Sequence, residues 1–480
     1  MSATPIPSVQ YAKSGSFTLA YQVVGEGPKD LVYLPAETPN VVGNWFVPEH
    51  RRFLERLASF SRLVITDRRG LGCSDRMPPG QAPTLEEHVD DLLEILQVAY
   101  AAPAVVFACA ETAFIAMLAA AGHPDRISGL VLWGPTASWR RSEDLPWERS
   151  EDAIEASLGA IRRVTNLRTW AEQFARNNVP SWAGDPQRVA LIEALSALGG
   201  SAEAWYQDQK VFTGVDLRDL LPSIRVPTLV LARTASRLQR IESARFLAER
   251  LPSAELVELD GADSLPFVGD SDAVLQEIER FVVGARPAVD PRRALATVLF
   301  TDIVDSTKRA AAMGDAAWGE LLHRHNTIVR EELRRFGGRE IETTGDGFFA
   351  TFDGPARAVN GARSIAKRVE EVGLAIRAGV HTGEIELAGN ERHGIAVHVG
   401  ARVAALAGPS EILVTRTVKD LTAGSDLAFA DAGEHDLKGV PDRWHLYRLV
   451  ESGSAGRSTT WSDLGPLRGP QRPLRPRSIP

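Results

Sequence analysis

Cysteine is nearly absent from this sequence: Cys73 and Cys109 are the only two among 480 residues. That rules out a disulfide framework and leaves no cysteine cluster for structural zinc, so a reducing, cytoplasmic setting is expected. A basic segment followed by an apolar run is missing from "MSATPIPSVQYAKSG", and no export signal is expected. Long hydrophobic runs are missing too. The most membrane-like window, Ala99 to Gly122, has Glu111 as its only charge, but it contains Pro103 and changes periodicity. A strand followed by a buried helix explains that window better than a membrane span. Excess positive charge is also lacking: a net charge of −8 gives no electrostatic reason to expect nucleic acid or an anionic membrane as partner. Histidine, finally, does not occur between His123 and His323.

What is present has the balance of a soluble globular chain, 44% hydrophobic and 24% charged. The length exceeds one ordinary core, so two or three domains are expected. From about residue 15 to 285, the apolar runs "DLVYLP", "RLVITD", "AVVFACA", "GLVLWGP", "PTLVLAR" and "AELVELDG" alternate with helical stretches. Such alternation implies a parallel, doubly wound sheet, here assigned to a first domain at 1–283. Between Ser138 and Pro222 the strands stop, and a helical stretch containing Trp139, Trp147, Trp170, Trp182 and Trp205 reads as an inserted cap. Such a cap either closes over a pocket for a small apolar ligand or uses its tryptophans to fix helices to the core.

The Gly- and Pro-bearing stretch 284–295 reads as a linker. A second alternating region follows at 296–450. In its first long helix, Trp318, Leu321, Leu322, His325, Ile328, Val329 and Leu333 recur at helical spacing and mark one buried face. The tail at 451–480, rich in Pro, Gly, Ser and Arg, cannot bury a core and is expected to be disordered.

In "FACAETA" an apolar strand meets a helix through Ala108-Cys109-Ala110-Glu111-Thr112. Together with "DRRGLGCSD" at 67–75 and Pro124-Asp125-Arg126, this resembles the α/β-hydrolase superfamily over roughly residues 15–283. In that family a G-x-S-x-G elbow exposes a serine, and an acid and then a histidine follow in the chain. The resemblance sets Ala110 at the serine, Ser236 at the acid and Ser264 at the histidine, with Ala108 and Thr112 at the elbow glycines. A methyl group cannot attack a carbonyl, and the histidine-free stretch removes the imidazole base in that chain order. Cys109 would itself need a nearby base to become a thiolate. A hydrolase scaffold without hydrolase chemistry is therefore expected.

The second region places carboxylates at strand ends. "LFTDIVDST" (299–307) carries Asp302, and "IETTGDGFFATF" (341–352) presents Asp346 between two glycines. Such a pair suits hard cations that in turn bind phosphates. The ordered set "FTDIVDST", "TTGDGF", "IRAGVHTGE", "GIAVHVGARV" and "LKGV" resembles the class III adenylate and guanylate cyclases over about residues 293–449. The whole chain resembles bacterial proteins that join a hydrolase-like domain to such a cyclase.

The resemblance implies an α+β domain with a ferredoxin-like βαββαβ core. It also implies two Mg²⁺ or Mn²⁺ held by Asp302, Asp346 and the Ile303 carbonyl, and attack of the ribose 3′-hydroxyl of ATP or GTP on the α-phosphorus with loss of pyrophosphate. Arg377 and Lys438 match positions contacting the β- and γ-phosphates, and amides from Val304 through Ser306 and Thr307 would cradle phosphate. Arg402 matches the arginine that stabilises the transition state. His398, four residues earlier on the same helical face, stands where the family commonly orients the ribose with asparagine. Glu342 and Glu391 occupy the purine-recognition positions, which leaves ATP, GTP or loose purine selection open. Metal-side and base-side residues come from different chains in this family, so a homodimer with composite sites is expected. The leading expectation is a cyclase with a noncatalytic ligand- or partner-sensing domain; a nucleotide-binding signalling protein with little turnover and a working esterase are the alternatives.

Overall fold

The computed structural model describes residues 5–36, 40–100, 103–284, 293–388 and 391–450. Most of the expected linker and all of the expected disordered tail lie outside the described residues.

The first unit begins with β1 (Gln10–Ser14) and β2 (Phe17–Val24), followed by β3 (Asp30–Leu34), α1 (Pro48–Phe60) and β4 (Arg62–Thr66). Next come α2 (Leu85–Ala99), β5 (Ala104–Cys109), α3 (Thr112–Gly122) and β6 (Ile127–Trp133). The sheet path is then left for α4 (Glu151–Arg162), α5 (Leu167–Asn178), α6 (Pro186–Gly199) and α7 (Ala202–Thr213). It resumes with β7 (Thr228–Arg233), α8 (Ile241–Arg250), β8 (Ala254–Leu259) and α9 (Ser271–Gly284). The strand order is β1-β2-β4-β3-β5-β6-β7-β8.

The strands from β4 to β8 in that order run parallel, but β1, β2 and β4 pair antiparallel, so the sheet is mixed where a wholly parallel one was expected. A two-residue loop containing Gly15 joins β1 to β2, and so short a connection can only reverse the chain. The cap is helical from α4 onward. Residues 138–150 instead form an irregular loop that turns back on itself around Leu145, held by bridges between Ser138 and Asp216 and between Arg140 and Arg149.

Helices α1 and α9 cover one face of this sheet; α2, α3 and α8 cover the other. Strand β5 is buried throughout because both faces are covered. A capping box fixes the start of α2: Thr84 Oγ1 accepts from the Glu87 N–H, and the Glu87 carboxylate accepts from the Thr84 N–H. Helix α3, "TAFIAMLAAAG", lacks a polar face because it is sandwiched, and the core around it includes Leu295 and Leu421 from the second unit. Among the described residues no helix is long and apolar enough to cross a membrane.

The second unit runs β9 (Arg293–Ile303), α10 (Ser306–Met313), α11 (Asp315–Arg335), β10 (Arg339–Thr344), β11 (Gly347–Phe352), α12 (Pro355–Glu370) and β12 (Ile376–Ala388). It continues through β13 (Glu391–His393), α13 (Ile395–Leu406), β14 (Ile412–Thr415), α14 (Arg416–Leu421), β15 (Ala428–Asp436) and β16 (Arg443–Val450). The sheet order is β10-β11-β9-β12-β14-β16-β15, and its first four strands with α11 and α12 form the βαββαβ core. Residues from α11 and α12 pack on one face with Leu299 and Ile303; α13 packs on the other beside Val298 and Phe349. The nominal linker end, Arg293 to Leu295, already belongs to β9.

Four polar contacts among the described residues fasten the units together. Glu86 accepts from the Ala356 N–H at the start of α12 (3.0 Å) and pairs with Arg357, which also pairs with Asp90; Arg225 pairs with Glu384 at 3.1 Å. Gly122, the last residue of α3, lies against the Leu295 carbonyl of β9. One helix therefore spans from the elbow turn to the strand that carries Asp302.

Candidate functional site

Side chains alternate along β9, so Val298 and Phe300 share one sheet face with Asp302, while Leu299, Thr301 and Ile303 point to the α11–α12 core. Asp302 faces Arg377 across the β9–β12 ladder, and the Arg377 Nε donates to Asp302 Oδ2 at 3.0 Å. Both side chains are about one-third exposed. The β10–β11 hairpin closes at the Thr344–Gly347 pair, which leaves Gly345 and Asp346 as its two-residue loop. Gly345 has φ +65°, a conformation that glycine adopts without steric cost. Phe348 pairs with Thr301, so the hairpin turn stands beside the end of β9 where Asp302 lies.

The Asp346 Oδ2 is buried with no hydrogen-bond partner among the described residues. An unpaired buried carboxylate oxygen next to a second carboxylate is an unfavourable arrangement that a cation relieves. Asp302, Asp346 and the carbonyl of Ile303 thus fit a divalent ion. Among the described residues no group of three or more His, Cys, Asp or Glu side chains assembles, so further ligands would have to come from substrate or solvent.

His325, on the buried face of α11, packs against Phe348 with ring centroids 5.8 Å apart. Its Nδ1 meets Asn326 Oδ1 at 3.0 Å and its Nε2 has no partner among the described residues. Burial lowers its pKa, opposed by hydrogen bonding to Asn326 and by the negative charge of Asp346. The spacing reveals His325 only as a buried helix position; its closeness to Asp346 depends on the hairpin register.

Phosphate-cradling amides from Val304 to Thr307 are only partly available. The Val304 N–H donates to the Ala375 carbonyl at 2.9 Å, because β9 keeps its ladder one residue beyond Ile303. A turn at Val304 and Asp305, the latter with φ +56°, leads into α10, which opens with Ser306 and Thr307. The first amides of a helix lack intrahelical acceptors and point outward, so Ser306 and Thr307 keep the geometry an anion needs.

On α13, positions 396, 399, 400, 403 and 404 are buried, whereas His398 and Arg402 lie on the exposed flank. Close packing aligns this helix: Gly400 meets Val298 and Phe300, and Gly379 meets the backbone of Ala404. Arg402 Nε donates to the Lys438 carbonyl at 3.1 Å, which brings two expected site residues together in the turn after β15. Glu342 is exposed on the edge strand β10, opposite Phe349 and next to an irregularity in register. Phe349 stacks on Phe300 at 4.5 Å on the face that carries Asp302. Glu391 pairs with Ala388 through the β12–β13 ladder; its side chain lies outside the described residues. The chain therefore offers Asp302, Asp346 and Arg377 at one place, and Arg402 with Lys438 at another.

In the first unit the turn between β5 and α3 retains elbow geometry. Ala110 has φ +46°, its N–H donates to the Trp133 carbonyl at 2.9 Å, and Thr112 Oγ1 accepts from the Cys109 N–H at 2.9 Å. Ser236 Oγ accepts from the Gln239 N–H at 3.2 Å. Ser264 is buried; its N–H donates to the Asn178 carbonyl, its own carbonyl accepts from the Trp133 indole, and its Oγ has no partner among the described residues. A cleft of about 790 Å³ lies over Ala110, and no histidine or cysteine is among the described residues lining it. Trp139, Trp147, Trp170 and Trp205 face the cleft; Trp182 packs in the core. His50, earlier in the chain, is fully buried, stacks on Phe267 at 3.9 Å and is pushed down to a pKa of about 3 by burial.

Comparison with known proteins matches both units. Residues 52–262 match the family model for serine aminopeptidase S33, and residues 290–451 match that for the adenylate and guanylate cyclase catalytic domain. A pimeloyl-acyl-carrier-protein methyl ester esterase of Xanthomonas campestris pv. campestris (strain B100) is 28% identical over 275 residues, covering 54% of this chain and 97% of its own. An esterase from Exiguobacterium antarcticum is 19% identical and covers 57% of this chain and 99% of its own at a TM-score of 0.51, a likeness of fold. The adenylyl cyclase CyaB from P. aeruginosa covers 33% of this chain and 95% of its own at 20% identity and a TM-score of 0.32.

Proposed function

We propose, from the premise that the chain joins an α/β-hydrolase-fold domain to a class III adenylate and guanylate cyclase domain, that it converts ATP or GTP to the 3′,5′-cyclic nucleotide and pyrophosphate. The observation that carries this reading is the unpaired, buried Asp346 Oδ2 in a turn beside Asp302. Mg²⁺ or Mn²⁺ bound there would acidify the ribose 3′-hydroxyl and neutralise phosphate charge. Asp302 and Asp346, with the Ile303 carbonyl, would hold the cations. Arg377, now paired with Asp302, turns to the triphosphate, and Ser306 and Thr307 offer their amides to phosphate oxygens. Arg402 stabilises charge that develops on the phosphoryl oxygens in the transition state, and Lys438, tied to it, contacts the phosphate chain. His398 orients the ribose. The 3′-oxygen attacks the α-phosphorus in line as pyrophosphate departs.

His398 and Arg402 project away from the sheet that holds Asp302, which supports a homodimer with composite sites. Asp302, Asp346 and Arg377 of one protomer would meet Glu342, Glu391, His398, Arg402 and Lys438 of the partner subunit. The partly open Phe300–Phe349 stack and Ile395, 57% exposed, offer apolar surface near that junction. Glu342 and Glu391 would recognise the purine by accepting from its N–H groups. The first domain, with Ala110 at the elbow and no histidine among the described residues lining its cleft, acts as a noncatalytic sensor, and α3 carries its state to β9.

The test is direct: purified protein is incubated with ATP or GTP and Mn²⁺, and cyclic nucleotide is followed. Formation of either cyclic product that is lost in Asp302→Ala is the expected result. Absence of both products, with Asp302→Ala altering only nucleotide binding, would move the chain to a nucleotide-binding signalling role.

A further inference from the structure

The cleft over the elbow has the volume of a small-molecule site, and its walls are largely apolar, with Trp139, Trp147, Trp170 and Phe174 supplied by the cap segment. The two carboxylates that line it are already hydrogen-bonded, and Arg163, Arg237 and Arg240 at its edge are exposed to water. Glu111 accepts from Arg68 at 3.3 Å and from Gln209 at 3.1 Å, and Arg68 also pairs with Asp208 at 2.8 Å. Glu148 Oε1 accepts from Thr136 Oγ1 at 2.7 Å and from Ser243 Oγ at 2.5 Å.

Two donors shielded from water, Arg149 and Gln239, differ from these. The Arg149 guanidinium is half-buried and lies over Trp139, its Cζ 4.5 Å from the ring centroid. Among the described residues it makes no ion pair and no side-chain hydrogen bond, unlike the buried guanidinium groups of Arg68, Arg69 and Arg233. Its backbone is fixed on both sides, N–H to the Trp139 carbonyl at 3.2 Å and carbonyl to the Arg141 N–H at 2.8 Å, so the side chain projects from a rigid stem. Gln239 is only 7% exposed, and its amide nitrogen is buried without an acceptor among the described residues. The Ser243–Glu148 hydrogen bond ties the helix that follows Gln239 to the segment that carries Arg149.

A buried donor without an acceptor is costly, and a cation in an apolar setting more so, because neither recovers what water gave it. Burial lowers the Arg149 pKa, the direction that an anionic partner would reverse. The charges of Glu148 and Glu111 oppose that shift through space, but neither carboxylate hydrogen-bonds Arg149: their bonds go to Arg68, Gln209, Thr136 and Ser243. What Arg149 and Gln239 lack among the described residues is an oxygen acceptor within hydrogen-bond reach, which a carboxylate on an apolar body would supply.

We infer that this cleft binds a small carboxylic acid with an apolar body, its carboxylate received by Arg149 and Gln239 and its body packed among the cap tryptophans. The inference rests on the first domain being a noncatalytic sensor and adds the chemical class of what it senses. With Ala110 at the cleft floor, a bound acid meets no nucleophile.

The experiment is calorimetry and thermal melting of the full chain with 4-phenylbutanoate and octanoate, each against its matched alcohol, 4-phenyl-1-butanol and 1-octanol. The acids are expected to bind more tightly than the alcohols and to raise the melting temperature further. Arg149→Gln should weaken the acids by about tenfold or more, since a hydrogen bond to a charged group is lost, and leave the alcohols unchanged. Gln239→Leu, which keeps the volume, should weaken the acids by a smaller factor, and Arg149→Lys should retain most of their affinity. Equal affinity for acid and alcohol, full acid binding in both Arg149→Gln and Gln239→Leu, or no binding by any of the four probes overturns the inference. Two further readouts stand apart from it: Asp302→Ala should bind the acids normally, so a failed cyclase assay leaves this site standing, and ester hydrolysis by the wild type would count against the noncatalytic reading alone.

Discussion

Of the turns with left-handed backbone, those at Ala110 (φ +46°) and Gly345 (φ +65°) have opposite characters. At the first, an alanine bears a conformation that costs an L-residue about 1 kcal/mol, while the surrounding polar groups are mostly paired. At the second, a glycine carries the turn without strain, and the adjoining Asp346 is left with an unpaired buried oxygen. The strained turn persists because the fold imposes it: the Ala110 N–H closes on Trp133, and the Thr112 hydroxyl staples the turn to Cys109. Backbone geometry alone is therefore a poor sign of chemistry. The better sign is a polar group that the fold leaves uncompensated.

The largest effect that can break this comparison lies at the second turn. Asp302→Ala should lower cyclic-nucleotide formation by about a thousandfold, the scale on which an electrostatic group is lost from a transition state. Melting of the first domain should be unaffected, because among the described residues the hydrogen-bond partners of Asp302 all belong to the second unit. Comparable turnover in the variant would remove the contrast between the turns.

Next in size is the contact that joins the two regions. Burial, opposed chiefly by Arg357, pushes the Glu86 carboxyl up to about 7 from the usual 4.5. Between those pH values the folded chain holds a proton that the unfolded chain has released, so folding stability falls as pH rises through the window, by up to about 3 kcal/mol. Glu86→Gln keeps an acceptor for the Ala356 N–H and cannot titrate. Melting temperatures measured from pH 4.5 to 7.5 should decline less steeply in this variant, and parallel slopes would show that the Glu86 proton is not held.

A smaller change concerns the purine. Glu342→Lys replaces an acceptor on edge strand β10 with a donor, which suits adenine N1 and repels the N1–H of guanine. The ATP-to-GTP ratio of kcat/KM should rise by about tenfold, the worth of one hydrogen-bond partner exchanged. An unchanged ratio removes Glu342 from the base pocket.

The sequence made much of this contrast legible, and the reasons are particular. The strands "RLVITD" and "AVVFACA", the long helix containing Trp318 and Leu333, and the "TTGDGF" hairpin appear where periodicity and turn residues place them, because each is specified by local pattern. Strands β14 to β16 were not legible: "ILVT" is short, and β15 is only half-buried at a sheet edge, so neither has a clear alternation. The same limit applies to the sites. Asp302 and Asp346 stand out as carboxylates beside small residues, whereas His325 near Asp346, the Val304 amide lost to Ala375, and the unpaired Arg149 and Gln239 depend on register and loop packing that spacing cannot encode.

The smallest expected effect is the most informative about the first turn. Ala110→Ser restores a hydroxyl at the elbow, on a backbone that already has the required positive φ. If shape were sufficient, short-chain esters would now be cleaved. A serine hydroxyl at neutral pH is a weak nucleophile without a base, and no histidine is among the described residues lining the cleft. Ester hydrolysis by Ala110→Ser should therefore stay at background, and adding Ser236→Asp and Ser264→His should be required before any rate appears. Those last two changes must also break existing contacts: Ser236 Oγ holds the Gln239 N–H, and Ser264 lies buried beside the Trp133 indole. Even the triple variant should consequently be slow, and the loss of acid binding at Gln239 should accompany whatever hydrolysis it gains.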